Sequence, residues 1–143
     1  VRKLVFSIKP KYAEAIYEGR KKWEFRTRLP RSFRRGDEAV IYETLPVGLV
    51  TGGFTAGTVY DVRLIGEGSA LMTAAGETTR LVAVSDLARE GCVGPADLKA
   101  YFKDGGKAVG VAAPERLGSP LLISDLGLTR PPQSWGWAKK GPF

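Results

Sequence analysis

The stretch from 47 to 65, VGLVTGGFTAGTVYDVRLI, most restricts what this chain can become. It is rich in Val, Thr, Phe and Tyr yet carries glycine at 48, 52, 53 and 57. β-branched and aromatic residues favour a pleated backbone. Glycine inside such a run marks a bulge or a sharp bend. A strand region bent at several places belongs to a closed or strongly curved sheet, not to a helical bundle.

The flanking sequence supplies the partners for that sheet. Residues 3–8, KLVFSI, read as a strand. Pro10 then suits a first helical position, because its ring presets φ and its missing N–H is not needed there. Tyr12, Ala13, Ala15 and Ile16 make one apolar face and Gly19 follows, which predicts a helix over 10–18. Residues 22–28 alternate, with Trp23, Phe25 and Thr27 on one side and Lys22, Glu24, Arg26 and Arg28 on the other. This predicts a half-buried strand with a charged outer face. Residues 29–37 read as a loop and 38–44 as a strand ending near Pro46. The small, polar run 66–78 is expected to be a surface excursion. Helices are expected over 80–90 and 95–103, where Leu98, Tyr101 and Phe102 are spaced to face a core. Residues 107–113 return to strand, and 120–126 form a short strand or a turn into the tail. About six strands with two to three flanking helices make one α+β domain over 1–143, a small mixed β-barrel.

Composition narrows the chemistry. The 143 residues include no histidine, which removes histidine triads, histidine acid–base work and the commonest metal ligand. Cys92 is the only cysteine, so no internal disulfide and no cysteine zinc cluster can form. No apolar run approaches membrane-spanning length. A soluble, cytoplasmic protein without metal or cofactor is the expectation. The net charge is +7, and it is unevenly spread. Residues 1–36 hold twelve Lys and Arg against three Glu, a surplus of +9, while the rest of the chain is at −2. Concentrated positive charge attracts polyanions and releases their counterions on binding. A solvated basic surface without a partner is the other reading of the same charge.

The densest polar cluster is Gly19-Arg20-Lys21-Lys22-Trp23-Glu24-Phe25-Arg26. Glu24 and Arg26 are two apart on the expected strand and share a face, with Lys21 at the turn beside it. A carboxylate between cations holds them in place, so the cluster can grip a phosphate or a base edge; a surface ion pair is the alternative. The pattern G-x-K-x-x-E-x-R over 19–26 resembles the signature of the ASCH domain family, which is related to PUA domains. The flanks agree: SIKPKYAEAIYEGRKKWEFR at 7–26, Arg35-Gly36-Asp37 with VIYETLPVG at 40–48, and PPQSW at 131–135. The resemblance implies a PUA-like β-barrel with a cleft beside the first helix, lined here by Lys21, Glu24 and Arg26, that binds RNA, nucleotides or modified bases. Some small ASCH proteins resemble amidohydrolases acting on N4-acetylcytidine and carry threonine where this chain has Glu24. Thr27 lies three places away, so the hydroxyl nucleophile is missing from that position. Other small members are associated with nuclease activity, which here would rest on Lys21 and Glu24.

A second cluster, Gln133-Ser134-Trp135-Gly136-Trp137-Ala138-Lys139-Lys140, sets tryptophans beside lysines, as in sites that stack bases and meet phosphates. The same tryptophans could instead pack the tail against the barrel. Lys9 and Lys11 flank the helix start, where anions are favoured. Arg28, Arg31, Arg34 and Arg35 form a candidate phosphate-tracking rim. Tyr12 and Tyr42 suit the barrel wall, the glycines match no complete phosphate loop, and Cys92 is expected to be inert. The leading expectation is a module that binds RNA or a nucleotide-sized ligand, with DNA also open, through Lys9, Lys21, Glu24, Arg26, Arg28, Ser134 and Trp135. The rival is a metal-independent hydrolase of RNA or a modified nucleoside with Lys21 and Glu24 catalytic. A protein-interaction module with an acidic partner is the third.

Overall fold

Residues 2–141 are described in the computed structural model. In chain order the strands are β1 (Lys3–Ile8), β2 (Trp23–Arg26), β3 (Glu38–Glu43), β4 (Leu49–Ile65), β5 (Ser69–Thr73), β6 (Arg80–Ala83), β7 (Gly106–Leu121) and β8 (Trp135–Trp137). The helices are α1 (Pro10–Tyr17), α2 (Val84–Glu90) and α3 (Pro95–Tyr101), with a 3₁₀ turn at Ile123–Leu126. The main sheet runs β2-β7-β4-β3-β1-β8, and β5 and β6 extend from β4 as an antiparallel arm. Among the described residues only the β1–β3 pairing is parallel, so the sheet is mixed. It curls into a half-barrel with helices on its flanks, the α+β architecture expected.

The long strands generate the curl. β4 pairs with β7 through three register shifts and with β3 through another at Ile41/Tyr42. Each shift adds local twist and bends the strand. Gly53 shows why glycine is needed here: a Cβ would lie 2.2 Å from the Ala39 carbonyl oxygen, on the neighbouring strand's backbone.

The core lies in three clusters. α1 packs inside the curl, where Ile16 meets Leu4, Phe6, Ile41 and Phe54. α2 and α3 close a second cluster of Trp23, Phe25, Tyr60, Met72, Leu87, Leu98 and Phe102. The third sits on the other side of β1 and β3, where Val5, Val40, Tyr42, Val50 and Leu126 meet. β1 therefore buries alternate residues on both faces, as a central strand should.

Several expectations change. The run 66–78 is not only an excursion: β5 lies within it, and Ala70 and Met72 are fully buried. Residues 80–83 form β6, paired to β5, so the helix expected from 80 begins at Val84. The strand expected at 107–113 continues to Leu121 because β4 offers a partner along its whole length. Tyr101 is 43% exposed and does not join the core as Leu98 and Phe102 do. The tail returns as β8 on β1, which local sequence did not announce.

Candidate functional site

An open cleft of about 380 Å³ lies where the α1 cluster meets the α2–α3 cluster. Ser7, Ile8 and Lys9 come from the end of β1 and the start of α1. Tyr12 comes from α1, Lys21 from the turn after it, and Glu24, Phe25 and Arg26 from β2. Val93, Asp97, Leu98 and Tyr101 close the far wall from α3 and the turn before it. Alternation on β2 sends Trp23 and Phe25 into the core under α2 and α3. Glu24 and Arg26 consequently point the other way, into the cleft. The expected charged outer face is thus covered in its middle, where Glu24 is only 6% exposed, while Lys22 and Arg28 stay exposed.

Lys21 is the most deeply placed charge, 4% exposed. Its ammonium donates to the carbonyl oxygen of Gly91, lies 3.9 Å from Glu24 Oε1, and sits 5.0 Å from the Tyr12 ring and 5.3 Å from the Phe25 ring. Burial holds Lys21 below the ordinary lysine pKa, and the Glu24 carboxylate acts against that shift. Gly91 is required by packing, because a Cβ there would come within 2.1 Å of the Phe25 ring. Only glycine lets this turn close on β2 and bring its carbonyl to Lys21.

Arg26 ties the site together. Its Nε donates to Glu24 Oε2 at 2.9 Å, and Nη2 lies 2.7 Å from the same oxygen. Nη2 also donates to the Ser7 carbonyl at 3.0 Å. Nη1 donates to the Ser134 carbonyl at 3.1 Å and to Ser134 Oγ at 3.0 Å. All three guanidinium nitrogens are engaged by protein oxygens. Arg26 therefore bridges β2, at one end of the main sheet, to the segment entering β8 at the other. Glu24 is left with Oε2 held by Arg26 and Oε1 turned toward Lys21.

The remaining predicted residues fall in different places. Lys9 is exposed on the cleft rim, and its carbonyl starts α1. Ser134 borders the site through Arg26, and its carbonyl also accepts the Ser7 N–H at 3.0 Å. The Trp135 indole N–H donates to the Arg28 carbonyl at 2.9 Å, and its ring packs on the α1 cluster. Arg28 is exposed, outside the cleft lining. Ser7, Asp97 and Tyr101 line the cleft although no sequence pattern points to them as site residues, and Tyr12, expected in the barrel wall, lines it too. The Tyr101 hydroxyl donates to the Phe25 carbonyl at 3.3 Å, and burial raises its pKa. Cys92 is partly buried and lies within electrostatic reach of Lys21 and Arg20. Among the described residues, no three Asp, Glu or Cys side chains converge as a metal site would require. No helix among them is long and apolar enough to cross a membrane.

The family model for the ASCH domain matches residues 6–110, which contain the end of β1, α1, the motif strand β2 and most of the curled sheet. The chain belongs to the ASCH domain family. Among solved structures, the chain is similar to an ASCH protein from Zymomonas mobilis, with a TM-score of 0.69 and 24% identity, covering 96% of this chain and 88% of that one. A tyrosine-to-phenylalanine variant of that protein superposes with a TM-score of 0.70 at 23% identity, covering 98% and 92%. A serine-to-alanine variant gives 0.69 at 24%, covering 96% and 89%. Likeness at this identity speaks to the ASCH fold. No curated protein matches by sequence.

Proposed function

We propose that this ASCH domain binds RNA, or a nucleotide-sized piece of it, in the cleft between α1 and α3. One observation carries the reading: a buried lysine and glutamate sit fixed at the floor of an open cleft with aromatic walls. Fixed charge in a partly dehydrated site interacts more strongly than charge in water. Lys21 offers its ammonium to a phosphate or a base carbonyl, and Lys9 adds charge at the rim. Glu24 Oε1 is placed to accept from a base amino group, as carboxylates do from cytosine. Tyr12 and Tyr101 supply rings beside which a base can lie. Arg26 acts as the residue that positions Glu24 and Ser134, since its own nitrogens are engaged within the protein.

The test is a fluorescence-anisotropy titration with a short labelled RNA at low salt. Lys21→Met keeps side-chain length without charge, and affinity should fall about tenfold or more, since a charge-assisted hydrogen bond is worth roughly 1.5–3 kcal/mol. Lys9→Ala on the exposed rim gives a second reading that does not depend on core packing. Absence of binding at low salt, or unchanged affinity in both variants, would sink the proposal.

A hydrolase is the second reading, favoured by one feature: burial moves Lys21 toward its neutral form beside a carboxylate. A neutral lysine can take a proton, and Glu24 can relay one. Protein incubated with EDTA and either RNA or N4-acetylcytidine, followed by chromatography, decides it. Product lost in Lys21→Met and Glu24→Gln supports catalysis; no product from the unmodified chain retires it.

A further inference from the structure

A second concave surface lies at the other end of β1. It is a groove of about 390 Å³ lined by Arg2, Lys3, Trp137, Lys139 and Lys140, together with Ala138 and Gly141. Among the described residues no Asp or Glu is in this lining. The Arg2 guanidinium lies 4.4 Å over the Trp137 ring. Ser32 and Asp37 hold it there, with Arg2 Nη1 2.9 Å from Ser32 Oγ and Nη2 3.4 Å from Asp37 Oδ2. The backbone bearing the two lysines is anchored as well. Ala138 N–H donates to the Lys3 carbonyl at 2.9 Å, and the Lys139 and Lys140 N–H groups both donate to Leu126 O, at 2.9 and 3.2 Å. The cations therefore stand on fixed backbone around a concave surface.

The groove and the cleft lie at opposite ends of β1. β1 runs from Lys3 in the groove to Ile8 in the cleft lining, and β8 lies beside it as the last strand of the main sheet. The loop after β2 follows the same edge. Its Arg28 carbonyl meets Trp135, and its Ser32 meets Arg2. Arg28 and Arg31 are exposed on that loop. The rise from Lys3 to Lys9 is about 20 Å at strand spacing. That length matches about six phosphates of a stacked single strand.

We propose that the groove is a second phosphate-binding site, and that one single-stranded nucleic acid runs from the cleft over Arg28 and Arg31 into it. This deepens the RNA reading of the cleft and rests on it. A strand rather than a free nucleotide is the ligand that uses both concavities and the exposed loop arginines.

The experiment compares uridine monophosphate with oligouridylates of increasing length, by calorimetry for the former and anisotropy for the latter, at one fixed salt concentration. Affinity should rise with length and level off at about six to eight nucleotides. The Lys139→Glu/Lys140→Glu double variant should bind the longest oligomer about tenfold or more weakly while binding the mononucleotide as before. Equal affinity for monomer and octamer, or an octamer indifferent to the double variant, overturns the groove and leaves the cleft reading standing. Failure of every nucleotide and oligomer to bind the unmodified chain overturns both. An oligoglutamate of equal length that binds as tightly as the octamer assigns the groove to acidic protein instead and overturns the proposal.

Discussion

At the scale of the residue, the molecule places ionisable groups where water is scarce and gives each a named neighbour. Lys21 and Glu24 are one such pair; Tyr17 belongs to another. The Tyr17 hydroxyl shares a 2.7 Å hydrogen bond with Thr51 Oγ1, and the Arg116 guanidinium lies 4.3 Å over its ring. Glu43, buried at the end of β3, is 3.8 Å from Arg116. Burial first, and the Glu43 charge after it, push the Tyr17 pKa up to about 12 from 10.0. The raised value means that the folded state prefers the neutral phenol more than the unfolded state does. That stabilisation is complete below pH 10 and is lost as pH climbs toward about 12. Urea midpoints measured on the two sides of this window should fall more for the unmodified chain than for Tyr17→Phe, which has no phenol to ionise. Equal falls in the two proteins would show that Tyr17 titrates normally. Thr51 and Arg116 both act against the shift, so a variant lacking either should show a larger loss above pH 10, extending to still higher pH.

At the scale of the element, Arg26 joins the two ends of the main sheet. β2 and β8 are not neighbours in the sheet order, yet Arg26 on β2 reaches Ser134 before β8 and Ser7 on β1. Lysine at this position keeps one charge but cannot send separate N–H groups to Glu24, Ser134 and Ser7. Arg26→Lys should therefore cost about 1–3 kcal/mol by denaturant titration. Hydrogen exchange should quicken at the Ser7 and Trp135–Trp137 amides before the rest of the sheet. Uniform exchange across the chain would mean that the bridge holds nothing locally. Ser134 could be named from the sequence, but its link to Arg26 could not, since 108 positions separate them. The same contrast marks the other elements. β1, α1 and β3 were legible because alternation, Pro10 and Gly19 are local signals. β5 was hidden because Ser69, Ala70 and Thr73 are small or polar, and only pairing with β4 and β6 makes them a strand. β6 reads as helix because Leu and Arg favour helices locally, while its partner β5 lies across a turn. In the site, period two on β2 placed Glu24 with Arg26, but not the cover that buries Glu24. Tyr101 and Asp97 reach the cleft on α3, some seventy positions from the motif, and no spacing announces them.

At the scale of the whole molecule, the +9 surplus of the first 36 residues does not act as one field. Arg20 pairs with Glu18, Arg26 with Glu24, and Arg2 with Asp37. Arg35 is turned toward Glu77 at 3.1 Å and Thr58 at 3.5 Å, on the side of the β5–β6 arm. Fold geometry thus divides a sequence cluster into cations that face the cleft and cations that serve other contacts. Salt dependence separates the two groups. Each phosphate contact on a single strand contributes about 0.7 to the slope of log K against log salt. With a labelled RNA titrated over a range of salt concentrations, Lys9→Gln should flatten the slope by about 0.7, because Lys9 lines the cleft rim. Arg35→Gln removes the same charge from the same sequence cluster and should leave the slope unchanged. If both variants flatten it equally, the domain attracts nucleic acid through net charge rather than through the cleft. If neither does, the phosphates lie elsewhere on the surface. The comparison turns on position in the fold alone, since the two substitutions are identical in charge and only 26 positions apart in sequence.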